Sequence, residues 1–284
     1  MAVHVVTDST ADLTPELIKE FGVTAPVHIV PLTVHFGEQE YRDGVDLTAA
    51  EFYRKLRESS QMPRTSQPSP AAFIDVYAQI SRPGDAILSF HISSKLSGTY
   101  QSALLAARQF DDRRIEVIDT RSASLGVGLI ALRAAQLTEQ GAELDEILVA
   151  CREMINHNRV LFLVDTLEYL HKNGRIGKAQ AFVGGLLNVK PILTLEDGVV
   201  APLDKVRGKA KARARLLERL LETTAAERVV VGAVVHAQAP EDAASLAEAV
   251  AAQFPASRIV TGQLGPTVGT HVGPGTLGVV AFER

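Results

Sequence analysis

Apolar and polar positions follow two different periods along the first half of the chain. Short apolar, β-branched runs predict strands at Val3–Thr7, Val27–Thr33, Ala86–His91 and Ile115–Ile118. Between them, apolar residues recur at helical spacing, which predicts helices from Pro15, at Thr48–Glu58, up to Ile80, and at Gly98–Phe110, Gly126–Gln140 and Asp145–Asn156. Strands and helices that alternate in this way are typical of a mostly parallel sheet wrapped by helices.

The pattern changes after residue 157. Further strands are predicted at Val160–Val164, Arg228–Val235, Arg258–Thr261 and Leu277–Phe282, and helices near Thr166–His171, Ala179–Leu186 and Glu241–Gln253. Asp197-Gly198 lies between two apolar runs and predicts a hairpin. We therefore expect an α/β protein of two domains that share an interface, an N-terminal α/β domain over residues 1–157 and a C-terminal α+β domain over residues 158–284.

Composition narrows the class of protein. The 284 residues carry 29 Lys plus Arg and 33 Asp plus Glu, a formal charge of −4, which argues against a nucleic-acid partner. Cys151 has no second cysteine to pair with, which indicates a reducing compartment. Neither a secretory signal nor an uncharged apolar stretch of the ~20 residues that span a membrane is evident. We expect a cytoplasmic protein with no membrane span.

Two clusters of hydroxyl residues carry the most informative chemistry. Ser93, Ser94 and Ser97 follow a buried-type strand, and a helix is predicted to begin directly after Ser97. Free amides and the dipole at a helix N-terminus bind anions, and Ser97 as the N-cap would lie beside them; ordinary capping is the alternative. The second cluster, residues 65–69, is either a helix cap or a second set of donors to the same anion.

Other possible sites are weaker. Asp8 and Asp12 lie beside a predicted helix start, where carboxylates are typical helix caps. The Gly126-x-Gly128 pattern weakly resembles a dinucleotide-binding motif, and close packing of the helix explains its glycines better. Residues 174–178 have the wrong spacing for a phosphate loop, and no Gly-x-Ser-x-Gly elbow is present. His91, His236 and His271 each fall at a predicted strand end without the spacing of zinc ligands, so we expect no metal site.

A basic run, whose members are Lys205, Arg207, Lys209, Lys211, Arg213 and Arg215, is predicted to be a loop that passes into an amphipathic helix. It is either a solvated face or a docking surface for an acidic or phosphorylated partner.

Several of these segments together resemble one family. They include residues 8–13, 31–34, 65–69, 93–103, 174–176, 189–193, 205–207 and 269–275, which occur in the order found in the DegV family. The resemblance extends from residue 6 to the end of the sequence, and its two hydroxyl motifs are together highly specific. It implies a two-domain protein that holds one fatty acid in a tunnel between its domains and has no catalytic centre or cofactor of its own.

The resemblance also implies roles for particular residues. Thr65 and a serine of the Ser93–Ser97 stretch should contact the fatty-acid carboxylate, with Ser97 favoured and Ser94 second. His271 and Arg175 should belong to the polar network around this head group. A separate fatty-acid kinase would phosphorylate the carboxylate for phospholipid synthesis, and Arg207 is the candidate contact with that kinase or with the phosphate.

Two other classes of function remain open. The chain could be a self-sufficient enzyme that acts on a small anionic or phosphorylated substrate at the same helix N-terminus, although no nucleophile–base signature is evident. A lipid-sensing transcriptional regulator is disfavoured by the near-neutral charge and the lack of a helix-turn-helix pattern.

Overall fold

The computed structural model describes residues 1–183, 189–225 and 229–283. Within these residues the strands are β1 (Val3–Asp8), β2 (Val27–Val30), β3 (Thr33–Phe36), β4 (Gln39–Arg42), β5 (Arg64–Ser66), β6 (Ala86–His91), β7 (Arg114–Asp119), β8 (Asn158–Leu163), β9 (Val189–Glu196), β10 (Val199–Arg207), β11 (Val229–His236), β12 (Arg258–Gln263) and β13 (Leu277–Glu283). The α-helices are α1 (Pro15–Glu20), α2 (Ala49–Glu58), α3 (Pro70–Ile80), α4 (Thr99–Ala107), α5 (Leu125–Glu139), α6 (Leu144–Asn156), α7 (Glu168–Lys172), α8 (Lys209–Thr223), α9 (Pro240–Gln253) and α10 (Pro266–Val272). Short 3₁₀-helices cover Ser9–Ala11 and Gly177–Phe182.

Four parallel strands form the N-terminal sheet in the order β2-β1-β6-β7. Successive residues of β1 face opposite sides, so Val6 packs with α3 and α4 on one face and Val5 packs with α5 and α6 on the other. Every residue of β6 is buried, as a strand covered by helices on both faces requires. The predicted parallel sheet wrapped by helices is confirmed.

The predicted strand Val27–Thr33 is confirmed only as far as Val30, because the chain changes sheets after that residue. β2 ends at Val30, and β3 belongs to a separate antiparallel sheet of order β4-β3-β5. Pro31 has no N–H to give to a sheet, and the N–H of Leu32 donates instead to Ser9 Oγ at 3.0 Å. The third strand of this small sheet, β5, carries Thr65.

Six strands form the C-terminal sheet in the order β10-β9-β8-β13-β11-β12. Neighbours are antiparallel except for β11 and β12. Helices α8 and α9 cover one face with Leu216 and Leu246. The β9–β10 turn has positive φ at Asp197 (49°) and Gly198 (78°), which is the conformation that a two-residue hairpin turn needs, so the predicted hairpin is confirmed.

Three expectations for this half need correction or fall outside the described residues. Lys205 and Arg207 lie in strand β10 rather than in a loop, because the hairpin extends as far as Arg207. The helix predicted at Ala179–Leu186 is a 3₁₀-helix that ends at Phe182, and its last residues, 184–186, lie outside the described part of the chain. Arg228, the first residue of another predicted strand, also lies outside it.

The two sheets share a core. One hydrophobic cluster contains Leu129 and Leu132 of α5 together with Val235 of β11 and Phe282 of β13. Packing therefore continues across residue 157, and the division into domains at that residue stays a prediction. None of the described helices has the length and apolar character needed to cross a membrane.

Helix α5 approaches the first 3₁₀-helix so closely that only glycine fits at Gly128. A Cβ there would lie 2.6 Å from the carbonyl oxygen of Ala11 and 2.8 Å from Leu13 Cδ2. Close packing therefore explains this glycine, as the sequence analysis favours.

Gly128→Ala should lower the free energy of unfolding by ~1–3 kcal/mol, although alanine is the better helix former by ~1 kcal/mol. Urea denaturation measures this, with the exposed Arg133→Ala of the same helix as control. A stabilised Gly128→Ala variant would contradict the packing argument.

Candidate functional site

The segment between β6 and α4 presents its serines in three different ways. Ser93 is fully buried, and its hydroxyl donates to the carbonyl of Gly198 at 2.8 Å. Ser94 is exposed, and its N–H donates to Asp119 Oδ1 at 3.2 Å. Ser97 is half-buried, with its Oγ 2.9 Å from Thr99 Oγ1.

The expectation that Ser97 is the N-cap of α4 is wrong. Gly98 occupies that position and makes no side-chain capping bond. Ser97 Oγ instead accepts from the N–H of Thr99, the first helical residue, at 3.3 Å. Its hydroxyl nevertheless lies at the start of the helix, as the sequence analysis expects.

A buried chain of hydrogen bonds fixes the end of β6. Asp8 Oδ2 lies 2.9 Å from His91 Nδ1 and accepts from the N–H of Ile92 at 3.2 Å. His91 Nε2 lies 2.7 Å from Ser89 Oγ, which accepts from the hydroxyl of Tyr77 at 2.8 Å. These residues combine the side chains of a Ser-His-Asp triad, but all four are fully buried, so a substrate cannot reach them. Their effect is structural, because they hold the backbone just before the serine segment.

Thr65 and His271 come together from opposite ends of the chain. Thr65 Oγ1 lies 2.8 Å from His271 Nε2, while His271 Nδ1 is buried without a hydrogen-bond partner among the described residues. Burial, and then the charge of Arg175, lower the pKa of His271 to about 4, so the imidazole is neutral at pH 7. The neutral ring therefore has one nitrogen bonded to Thr65 and one without a partner among the described residues.

His271 lies on helix α10 and not at a strand end, so that expectation is wrong. The sequence analysis overlooks this helix, although Pro266 at its first turn and Gly273 at its end, with φ of 75°, are a start and stop signal. The seven residues of α10 are few for a periodic pattern, and tertiary contacts hold them.

Arg175 connects the turn after α7 to the serine segment. Its Nε donates to the carbonyl of Leu96 at 3.0 Å, and its Nη1 donates to the carbonyl of Asn173 at 2.9 Å. The side chain is exposed, so its positive charge lies at the edge of the site.

Four of the five predicted head-group residues, Thr65, Ser97, Arg175 and His271, line one cavity, and Ser94 does not. Of the two serines that the sequence analysis favours, the structure therefore retains Ser97 as the candidate.

This cavity lies between the N-terminal sheet and the C-terminal sheet. It contains about 870 Å³ of space free of protein atoms, including its open mouth. Most of its walls are apolar, and the larger side chains are Leu32, Ile92, Leu96, Val160, Phe162, Leu170, Leu195, Val200, Val235, Leu264, Val268, Val272 and Val280. A long apolar chamber with a few polar groups suits an amphipathic ligand.

Arg207 lies apart from these residues. It is exposed at the end of β10 and does not line the cavity, which the same strand borders at Val200. Seven residues of strand at ~3.3 Å each separate the two positions, a distance of about 20 Å. Contact between Arg207 and a kinase, or between Arg207 and the phosphate that a kinase transfers, stays a prediction.

Two buried carboxylates hold the N-terminal end of α10, a role that the sequence analysis misses. Asp12 Oδ1 accepts from the N–H of Gly265 at 3.0 Å, and Asp43 Oδ2 accepts from the N–H of Thr267 at 3.1 Å. Burial raises the pKa of both, that of Asp43 to about 6. Asp8 caps the start of the first 3₁₀-helix by accepting from the N–H of Thr10, and Asp12 is the C-cap residue of the same helix. The N-cap of α1 is Thr14. Within the described ranges, no group of three or more His, Cys, Asp or Glu residues could hold a metal ion.

Comparison with known proteins gives the same family from the sequence and from the structure. A family model described as an uncharacterised protein of the DegV family matches residues 2–284. A DegV domain-containing protein of Deinococcus radiodurans is 42% identical over 282 residues, which cover 98% of each chain. The solved structure of a fatty-acid-binding DegV family protein from Thermus thermophilus has a TM-score of 0.90 at 41% identity and covers 100% of both chains. A stearic acid-binding protein from Eubacterium ventriosum has a TM-score of 0.89 at 27% identity, covering 100% of this chain and 98% of its own.

The raised pKa of Asp43 makes a prediction about stability and pH. The folded protein holds the Asp43 proton with a pKa of about 6, and the unfolded chain with a pKa of ~3.9. The stability that Asp43 contributes should therefore fall by up to ~3 kcal/mol as the pH rises from about 4 to about 6. The lowered pKa of His271 acts in the opposite direction over the same range, so the difference between wild type and an Asp43 variant isolates the effect. Asp43→Asn keeps an acceptor for the N–H of Thr267 without the buried charge, so it should be more stable than wild type at pH 8. Urea denaturation between pH 5 and pH 8 measures both proteins, and parallel profiles would contradict the prediction.

Proposed function

Since the chain belongs to the DegV family, we propose that it binds one long-chain fatty acid in the cavity between its two sheets. The carboxylate lies at Thr65, His271 and Ser97, and the acyl chain extends along the apolar walls. Fatty-acid binding by the Thermus thermophilus and Eubacterium ventriosum proteins supports this proposal.

The Thr65–His271 pair is the observation that carries the proposal. It places a hydroxyl and a neutral imidazole with a free buried nitrogen at the wall of an otherwise apolar cavity. A buried polar atom without a partner is costly, so a ligand that bonds to it is favoured. Arg175 supplies positive charge nearby, which attracts an anionic head group such as a carboxylate.

The two parts of the ligand contribute differently. Burial of about 15 methylenes at ~0.8 kcal/mol each supplies on the order of 12 kcal/mol before the costs of binding. Each hydrogen bond to the carboxylate adds only ~1 kcal/mol. The cavity walls therefore provide the affinity, and Thr65, Ser97 and His271 determine where the carboxylate sits.

We also propose that a separate fatty-acid kinase phosphorylates the bound carboxylate in the cytoplasm, where ATP is available, for use in phospholipid synthesis. The stretch at residues 174–178 forms the turn after α7 and the start of a 3₁₀-helix, a conformation that does not wrap around a phosphate. The Ser89–His91–Asp8 chain is sealed in the core. Both observations favour a binding protein over a self-sufficient enzyme.

Purified protein should carry one long-chain fatty acid per chain. Native mass spectrometry, before and after removal of lipid and incubation with C16 and C18 acids, measures the occupancy. Protein that stays unliganded under both conditions would overturn the proposed function.

Variants of the hydroxyl residues extend this test to the head group. Thr65→Val keeps the shape of the side chain and removes one hydrogen bond, so palmitate affinity should fall about fivefold, or ~1 kcal/mol. The chemical shift of ¹³C-carboxyl-labelled palmitate should change at the same time. Ser94→Ala is the control, because this exposed serine belongs to the other hydroxyl motif and does not line the cavity. Equal effects of the two variants would remove Thr65 from the head-group site.

Arg207 is the proposed contact with the kinase. It is exposed and forms no ion pair within the described part of the chain, whereas Arg213 and Arg215 of the same basic run pair with Asp242 and Asp204. An exposed guanidinium of this kind can bind a carboxylate or a phosphate of another protein through two parallel hydrogen bonds.

Arg207→Ala should therefore leave palmitate affinity and melting temperature unchanged and reduce acyl-phosphate formation at least tenfold. The assay contains the kinase, ATP and magnesium, with wild type and variant at equal lipid loading. Lys19→Ala removes the same charge from exposed helix α1 and serves as control. Equal rates for wild type and Arg207→Ala would exclude Arg207 as the contact. Product formed without the kinase would favour the enzyme alternative.

A further inference from the structure

The floor of the cavity is a row of three residues on adjacent strands of the C-terminal sheet. Gly278 of β13 is in register with Phe162 of β8 on one side and with Val235 of β11 on the other. All three line the cavity, so the row presents a large side chain, no side chain and a valine in turn.

The bare backbone at Gly278 leaves a trough between its neighbours. Phe162 belongs to one hydrophobic cluster and Val235 to another, although only one strand separates them. Val279 also borders the cavity, while its side chain packs with Leu161 in the core on the opposite face. Val279 can border the cavity with its backbone because its neighbour Gly278 has no side chain to cover the strand there.

A glycine in the middle of a central strand has a cost, because it weakens the strand and packs nothing. At Gly278 a Cβ would lie 2.8 Å from Val235 Cγ2 and 3.4 Å from Phe162 Cβ, both side-chain atoms. A Cβ this close to the buried Val235 requires that the valine move, so packing against Val235 also favours a glycine here. Glycine within a strand also marks places where a ligand approaches the backbone.

We propose that the acyl chain crosses the sheet over Gly278, and that the missing side chain there determines how long a chain the cavity accepts. This inference rests on the proposed fatty-acid binding. It assigns Gly278 a role in chain-length selection that is separate from the head-group contacts of Thr65 and His271.

The test compares decanoate, palmitate and stearate binding to delipidated wild type, Gly278→Ala and Gly278→Val. A side chain in the trough should weaken palmitate and stearate at least tenfold in Gly278→Val and about threefold in Gly278→Ala. Decanoate affinity should change less than threefold, because a short chain can stop before the trough.

Gly262→Ala is the matched control. A Cβ at Gly262 of β12 would lie 2.8 Å from Leu125 Cδ1, the same distance to a methyl group as at Gly278, and Gly262 does not line the cavity. This variant should match Gly278→Ala in melting temperature and wild type in affinity at every chain length. If Gly278→Val does not fold, the smaller Gly278→Ala decides the question.

The outcomes separate this inference from the proposed function. Wild type that binds none of the three acids overturns both. Wild type that binds palmitate, together with Gly278 variants of unchanged affinity, overturns only the role of Gly278. A loss that is equal for decanoate and stearate overturns it as well, since a position beyond the head group must act more strongly on longer chains.

Discussion

The hydrogen bonds from the start of helix α10 to two buried carboxylates are the constraint on which the site depends. Asp12 and Asp43 lie in the N-terminal half, and the N–H groups of Gly265 and Thr267 that they accept lie in the C-terminal half. Burial of two nearby carboxylates is unfavourable, as their raised pKa values indicate. The bonds to α10 offset part of that cost, and the helix that they hold carries His271 to Thr65. The same hydrogen bonds thus align the two halves and position His271 beside Thr65 in the proposed head-group site.

The sequence predicts most of what local patterns determine. The burial of β6 and the turn at Asp197-Gly198 follow from a run of apolar residues and from φ preferences, which are properties of adjacent positions. Helix α10 and strand β5 are too short for such patterns, and contacts distant in sequence stabilise them. Ser94 and Ser97 have the same chemistry in one motif, so only the path of the loop separates the exposed residue from the one in the cavity.

The proposed head-group site combines an uncharged hydroxyl at Thr65 with an uncharged imidazole at His271. A permanent charge at His271 would be costly among apolar walls, and its lowered pKa keeps the ring uncharged. The positive charge that an anion needs stands instead on Arg175, which stays exposed while its guanidinium bonds to Leu96. The buried contact to a ligand and the electrostatic attraction of an anion therefore come from different side chains, His271 and Arg175. A carboxylate at the junction of the two can meet donors on its buried side and a cation at the edge.

Access, more than residue identity, separates the two hydroxyl–imidazole pairs of this protein. Ser89 and His91, with Asp8 behind them, have the composition of a hydrolytic triad, yet they lie sealed beneath α3, where Tyr77 occupies the serine oxygen. The Thr65–His271 pair has no carboxylate to orient the ring, but it opens onto the cavity. Without that carboxylate the imidazole is a weak base, and its low pKa weakens it further. A pair of this kind can bind an anion and leave it chemically unchanged, in agreement with the proposed binding function.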